Sequence, residues 1–137
     1  MGDNAQFMAA IDAFVAKANG NTALVVKGLG IRILARLVRM SPVDTGRFRG
    51  NWQVAFDAPP AALLERFDKQ GNETLKNGSL VLEQFKVGTR DVYFTNNLPY
   101  AWELEFGSSQ QAPNGMIRVT AEELVAYLKQ ATEELRL

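Results

Sequence analysis

The chain has 137 residues, 47% of them hydrophobic and 22% charged, and contains neither Cys nor His; that composition suits one globular domain with a single core. The two missing residue types exclude disulfides, thiolate nucleophiles, zinc–cysteine sites and imidazole general bases. Fifteen Lys plus Arg balance fifteen Asp plus Glu, and no apolar run approaches the roughly 20 residues of a membrane-spanning helix, so the expectation is a protein kept in a cytoplasm without a membrane partner.

From the N-terminus, "MGDNAQFMAAID" lacks the basic-then-apolar order of a secretory leader. Asp3 or Asn4 suits the cap of a first helix, in which Phe7, Ile11, Phe14 or Val15 and Ala18 recur on one face before Gly20. A second helix is predicted from Thr22 to Met40, with Val26, Leu29 or Ile33, Leu37 and Met40 as its apolar stripe, weakened near its start by Gly28 and Gly30. Arg32, Arg36 and Arg39 share one face of it, as a contact for acidic groups or phosphates or as a solvated face. Pro42 ends the helix.

"NWQVAFD" alternates Trp52, Val54 and Phe56 with Gln53 and Ala55 and reads as a strand broken by "DAPPA". Residues 61–86, with Gly71 and Gly78, suggest short helices and loops. "DVYFTN" and "GMIRV" are further strand candidates. In "YAWELEFG", Pro99 before it and Gly107 at its end favour a short helix over the strand that the alternation of Trp102, Leu104 and Phe106 also allows. Thr120 and Glu123 read as a capping box opening a terminal amphipathic helix built on Leu124, Tyr127 or Leu128 and Ala131 or Leu135. The expected class is α+β: N-terminal helices, a small, mostly antiparallel sheet and a C-terminal amphipathic helix, in one domain over residues 1–137.

Charge is unevenly spread. Residues 1–56 hold seven basic and three acidic side chains, net plus four, and residues 57–137 hold eight and twelve, net minus four. Such a dipole favours head-to-tail association of copies, or it is a solvated surface of no consequence.

The segment "SPVDTGRFRGNW" contains Asp-Thr-Gly, the tripeptide that carries the catalytic carboxylate of aspartic proteases. That chemistry needs two strand-fed loops sharing a proton between carboxylates; here a helix precedes Asp44, and Arg47 and Arg49 follow it. The structural reading makes Asp44 an Asx-turn or N-cap acceptor, with Gly46 permitting a close approach or a positive φ. Glu103, Glu105, Glu122 and Glu123 are the acids available to a divalent cation, although solvated acids are the commoner case. Trp52 and Trp102 suit a core or a binding surface, with core packing expected for each.

Three stretches occur in order: "SPVDTGRFRGNW" (41–52), "VYFTNNLPYAWELEFGSS" (92–109) and "QAPNGMIRVTAEEL" (111–124). Together they resemble the tail-completion, or minor tail-component, family of long-tailed siphophages. Its pattern is a Pro-Val-Asp-Thr-Gly turn after an N-terminal helix, an aromatic strand, an Asn-X-X-Pro-Tyr-Ala segment ending in Glu-X-Gly, and Gln-Ala-Pro-X-Gly before a terminal helix.

The resemblance implies a non-enzymatic virion protein without a cofactor, assembled in the host cytoplasm and acting at the head-proximal end of the tail. Its implied partners are further copies in a ring, the tail tube or terminator, and head-side neck proteins, with genomic DNA passing through the channel without sequence-specific recognition. Carried over by position, Pro42, Asp44, Thr45 and Gly46 form a fixed turn, and Asn96, Asn97, Pro99, Tyr100, Glu105 and Gly107 build a loop and short helix near it. Arg32, Arg36 and Arg39 are the candidate interface to a neighbour's acids. The competing functions are a protease-like dimer using Asp44 and a cytoplasmic adaptor.

Overall fold

The structure, a computed structural model, describes residues 22–134; the expected first helix around Phe7 to Ala18 lies outside them. Helix α1 covers Thr22–Met40, and its buried side is Val25, Leu29, Leu34, Leu37 and Val38. The buried stripe therefore begins at Val25 rather than the expected Val26, with Ile33 and Met40 half-buried at its borders. Ser41 and Pro42 close the helix. The Ser41 hydroxyl donates to Leu37 O at 2.6 Å and accepts from Trp52 Nε1 at 2.6 Å. Arg49 donates to Arg39 O and Ser41 O, so carbonyls left unpaired at the helix end are satisfied by side chains.

A single 3-10 turn, Arg49–Asn51, leads into strand β1, Trp52–Phe56. It pairs antiparallel with β2, Val92–Asn96, in the register Trp52↔Asn96 to Phe56↔Val92. The first strand was legible from alternation and the second from its residue types, and Trp52 and Val54 are buried as the pattern requires. The loop after β1 is tied back by side chains: Asn51 Nδ2 donates to Arg47 O and Leu64 O, Asn51 Oδ1 accepts from Leu64 N, and Arg66 donates to Gly50 O and Trp52 O.

Helix α2, Asn72–Leu82, is longer and more regular than the expected mixture of short helices and loops, despite Gly78 in its interior. Asp68 starts it by accepting from Gly71 N, Thr74 N and the Thr74 hydroxyl at 2.7–3.0 Å. Glycine here serves close packing: a Cβ on Gly78 would collide with Leu34 Cδ2 of α1, and one on Gly30 of α1 would meet Leu82 Cδ2 at 2.6 Å. Each helix thus receives a leucine of the other over a glycine, and the propensity cost of about 1 kcal/mol per interior glycine is offset by the leucine burial.

Helix α3, Ala101–Glu105, and helix α4, Ile117–Glu134, complete the described chain. The short helix in "YAWELEFG" is present, and "GMIRV", expected as a strand, instead enters α4. The main core joins α1, β1 and α2 to Phe48, Leu98, Ala112 and Met116; a second cluster packs Leu124 and Leu128 of α4 on Val25 and Leu29. This is the α+β architecture expected, with one small sheet. Among the described residues no helix is long and apolar enough to cross a membrane.

Candidate functional site

The three stretches that carry the family resemblance meet around one cleft of about 270 Å³, lined by Val43, Asp44, Thr45, Arg47 and Phe48, by Tyr100 and Leu104, and by Ser109 and Gln111. Its first wall is the turn after α1. Gly46 has φ +89°, and a Cβ there would lie 2.6 Å from Lys69 N and 2.8 Å from Asp68 N. Its carbonyl accepts from Gly50 N and Asp68 N, so both roles expected of Gly46, close approach and positive φ, are realised together.

Asp44 is placed differently from the expectation. It is exposed and among the described residues its carboxylate caps no amide; the side-chain acceptor that closes the turn is the Thr45 hydroxyl, which takes Arg47 N at 3.2 Å. A helix rather than a strand feeds Asp44, Arg47 lines the same cleft, and Arg49 turns away to the end of α1. That arrangement lacks the strand-fed loop a shared-proton carboxylate pair needs.

The second wall is fastened by the two asparagines. Asn96 Nδ2 donates to Phe48 O at 2.9 Å and its Oδ1 accepts from Leu98 N; Asn97 Nδ2 donates to Pro60 O and Ala62 O. Pro99 and Tyr100 lead into α3, with Tyr100 at its N-cap and its ring 6.0 Å from that of Phe48. Gly107, at φ +89°, ends α3 by letting its own amide reach Leu104 O and Ser108 N reach Glu103 O, the paired bonds of a Schellman close.

The third wall depends on Glu105. One oxygen accepts from Met116 N and Ile117 N at 2.9 and 2.8 Å; the other accepts from Arg118 N and Arg118 Nε at 3.1 Å. This carboxylate caps α4, which explains why the helix opens at Ile117 and not at the expected Thr120–Glu123 box. Thr120 instead lies within the helix, its amide bonded to Met116 O and its hydroxyl buried without a hydrogen-bond partner. Burial pushes the Glu105 pKa up, but the amides of Ile117, Met116 and Arg118 and the Arg118 side chain outweigh it and hold the carboxyl below its ordinary value. At Asp68 burial is likewise outweighed, by Thr74, Gly71 and Arg66. Burial lowers the Arg49 pKa against the opposing pull of Asp68.

Gln111 joins the first and third walls: its Oε1 accepts from Val43 N at 2.9 Å and its Nε2 donates to Val43 O at 3.2 Å. Within "QAP" nothing local marks this role for Gln111, because a long-range amide clamp has no sequence spacing that reveals it.

The arginine stripe is divided. Arg36 forms a two-pronged pair with Glu123 of α4 at 2.7 and 2.8 Å, and the Arg32 guanidinium lies 3.8 Å from the Tyr127 ring centroid. Two of the three arginines thus hold this chain's own α4, and only Arg39 has a guanidinium without a partner among the described residues. Of the two tryptophans, Trp52 is core, whereas Trp102, also expected to be core, is 73% exposed and packs with Phe106 at 4.6 Å between ring centroids. Among the described residues no cluster of three or more metal-ligating side chains occurs; Glu105 bonds the first amides of α4 and Glu123 pairs with Arg36.

Comparison with family models, with curated proteins and with solved structures finds no match to this chain.

Proposed function

We propose that this chain is a structural assembly protein of a siphophage tail, acting at the head-proximal end as a ring-forming component of the neck. One observation carries the reading: the separate stretches that resemble the tail-completion family converge on one cleft, where Gly46, Asn96, Glu105, Gly107 and Gln111 hold the walls. Asp44 is exposed, lines the cleft and has no hydrogen-bond or ion-pair partner among the described residues, which leaves its carboxylate able to meet another molecule.

In this reading the cleft takes a basic side chain of the next copy, held by the Asp44 carboxylate and the Tyr100 ring. Arg39 is the cation of the α1 stripe without a partner among the described residues, and the excess positive charge of residues 1–56 favours such a head-to-tail contact. Heterologous contacts of this kind form a ring when the rotation from copy to copy closes on itself. A protein partner fits better than DNA, because tight phosphate binding would impede a genome that has to pass through the channel.

The test is deletion of the gene from its parent phage, followed by electron microscopy of the lysate. Filled heads beside unjoined or defective tails are expected. Normal infectious particles would sink the assignment.

A further inference from the structure

Each strand of the two-stranded sheet has an outer edge, and among the described residues only that of β1 receives a hydrogen bond. Asp57 N donates to Asp91 O at 3.0 Å at one end of the ladder, while Trp52 O, at the other end, accepts from Arg66 on the side away from β2. In an antiparallel ladder, residues that exchange bonds alternate with residues whose amide and carbonyl point outward. Gln53 and Ala55 therefore face Thr95 and Tyr93, and the amides and carbonyls of Val92, Phe94 and Asn96 point away from β1. Among the described residues no third strand joins the sheet and no hydrogen bond reaches these six groups.

Nothing in the strand guards that edge. "VYFTN" contains no charge and no proline, the devices by which edge strands ordinarily avoid pairing. Its register is also self-complementary. A two-fold axis through Phe94, an outward-pointing residue, sets Phe94 against Phe94, Val92 against Asn96 and Tyr93 against Thr95 of a second copy. All six groups then find partners, and Asp91 falls opposite Asn97, so like charges do not meet.

We propose that the free edge of β2 pairs antiparallel with β2 of a second copy, centred on Phe94, to make one continuous four-stranded sheet. Two strands alone are marginal, and four with an apolar face are not. This contact is isologous and closes on two copies, whereas the cleft contact is heterologous; it does not rest on the phage assignment.

The chain has no cysteine, so Tyr93→Cys and Thr95→Cys chains of different tag length are mixed and oxidised. Facing positions that are not hydrogen-bonded to each other lie about 4.5 Å apart between Cα atoms, within disulfide reach. The expected product is a mixed-tag covalent dimer, with little same-tag product, because equal positions lie offset in this register. Sedimentation of the wild type should show mass doubling as concentration rises, and Tyr93→Lys with Thr95→Lys, which sets lysines opposite one another, should return it to the monomer mass with an unchanged far-ultraviolet circular dichroism spectrum. A wild type that stays monomeric, or same-tag cross-links that dominate, would overturn the proposal. Larger species without the mixed-tag cross-link would do so too, and would leave the ring contact standing.

Discussion

Replacing Glu105 by alanine tests whether α4 is started by a residue outside it. The Glu105 side chain is only 13% exposed, and it receives three backbone amides of the first helical turn together with Arg118 Nε. A lost N-cap costs about 1 kcal/mol, and hydrogen bonds to an ionised group about 1.5–3 kcal/mol. Because water can reach part of the freed turn, the expected destabilisation is about 2–4 kcal/mol. With an unfolding entropy of about 2.1 cal/mol/K per residue, a chain of 137 residues loses about 3.5 °C per kcal/mol, or about 7–14 °C in all. Thermal and urea unfolding followed by circular dichroism at 222 nm measure both. Glu105→Gln keeps one carbonyl acceptor but turns an amide nitrogen towards two Arg118 donors, and should cost about half as much.

The pH dependence follows from the sign of the shift. The Glu105 pKa is depressed in the folded state, so its contribution is complete above the unfolded-state pKa and disappears as pH falls through the lower folded-state value. Wild type and Glu105→Gln should therefore differ at neutral pH and converge in acid. A loss below about 0.5 kcal/mol for Glu105→Ala, the range of ordinary surface substitutions, would refute the capping argument.

Gly46→Ala forces a side chain into a left-handed turn and against the backbone of Asp68 and Lys69; it should destabilise by at least about 2 kcal/mol in the same unfolding assay. Asp44→Asn removes an exposed carboxylate that has no hydrogen bond among the described residues, so its unfolding midpoint should stay within about 0.5 kcal/mol of wild type while ring formation and phage titre fall; unchanged titre would remove Asp44 from the interface. Arg36→Gln breaks a half-exposed ion pair with Glu123 and should cost about 0.2–1 kcal/mol, a difference that shrinks as salt is raised. Arg39→Glu, at an exposed arginine, should leave stability unchanged and weaken copy–copy association; equal association by sedimentation would show that α1 takes no part.

Periodicity and chain-breaking residues are local properties, and what they determine was legible from residue order alone. Helix α1 ends before Pro42, β1 follows alternating apolar residues, β2 follows its aromatic and β-branched residues, and Gly107 closes α3 as its position suggests. Gly46 was recognisable as a special turn residue for the same reason. The errors arose where a distant group outcompeted a local signal. The capping box of Thr120 and Glu123 lost to Glu105, which reaches α4 from 12 residues before its first residue. The regularity of α2 depends on Leu34 seated over Gly78, a contact invisible within residues 61–86.

The cleft has the same origin. Residue order shows that Asp44, Tyr100 and Gln111 occur in three separate stretches, but only folding brings them to one surface, because long-range bonds such as Gln111 to Val43 and Asn96 to Phe48 join segments 68 and 48 residues apart. Helical and strand periods depend on neighbours a few positions away, whereas charge pairing depends on which elements pack together. The arginines of α1 were therefore visible as a stripe, and the assignment of Arg36 and Arg32 to this chain's own α4 was decided by tertiary packing.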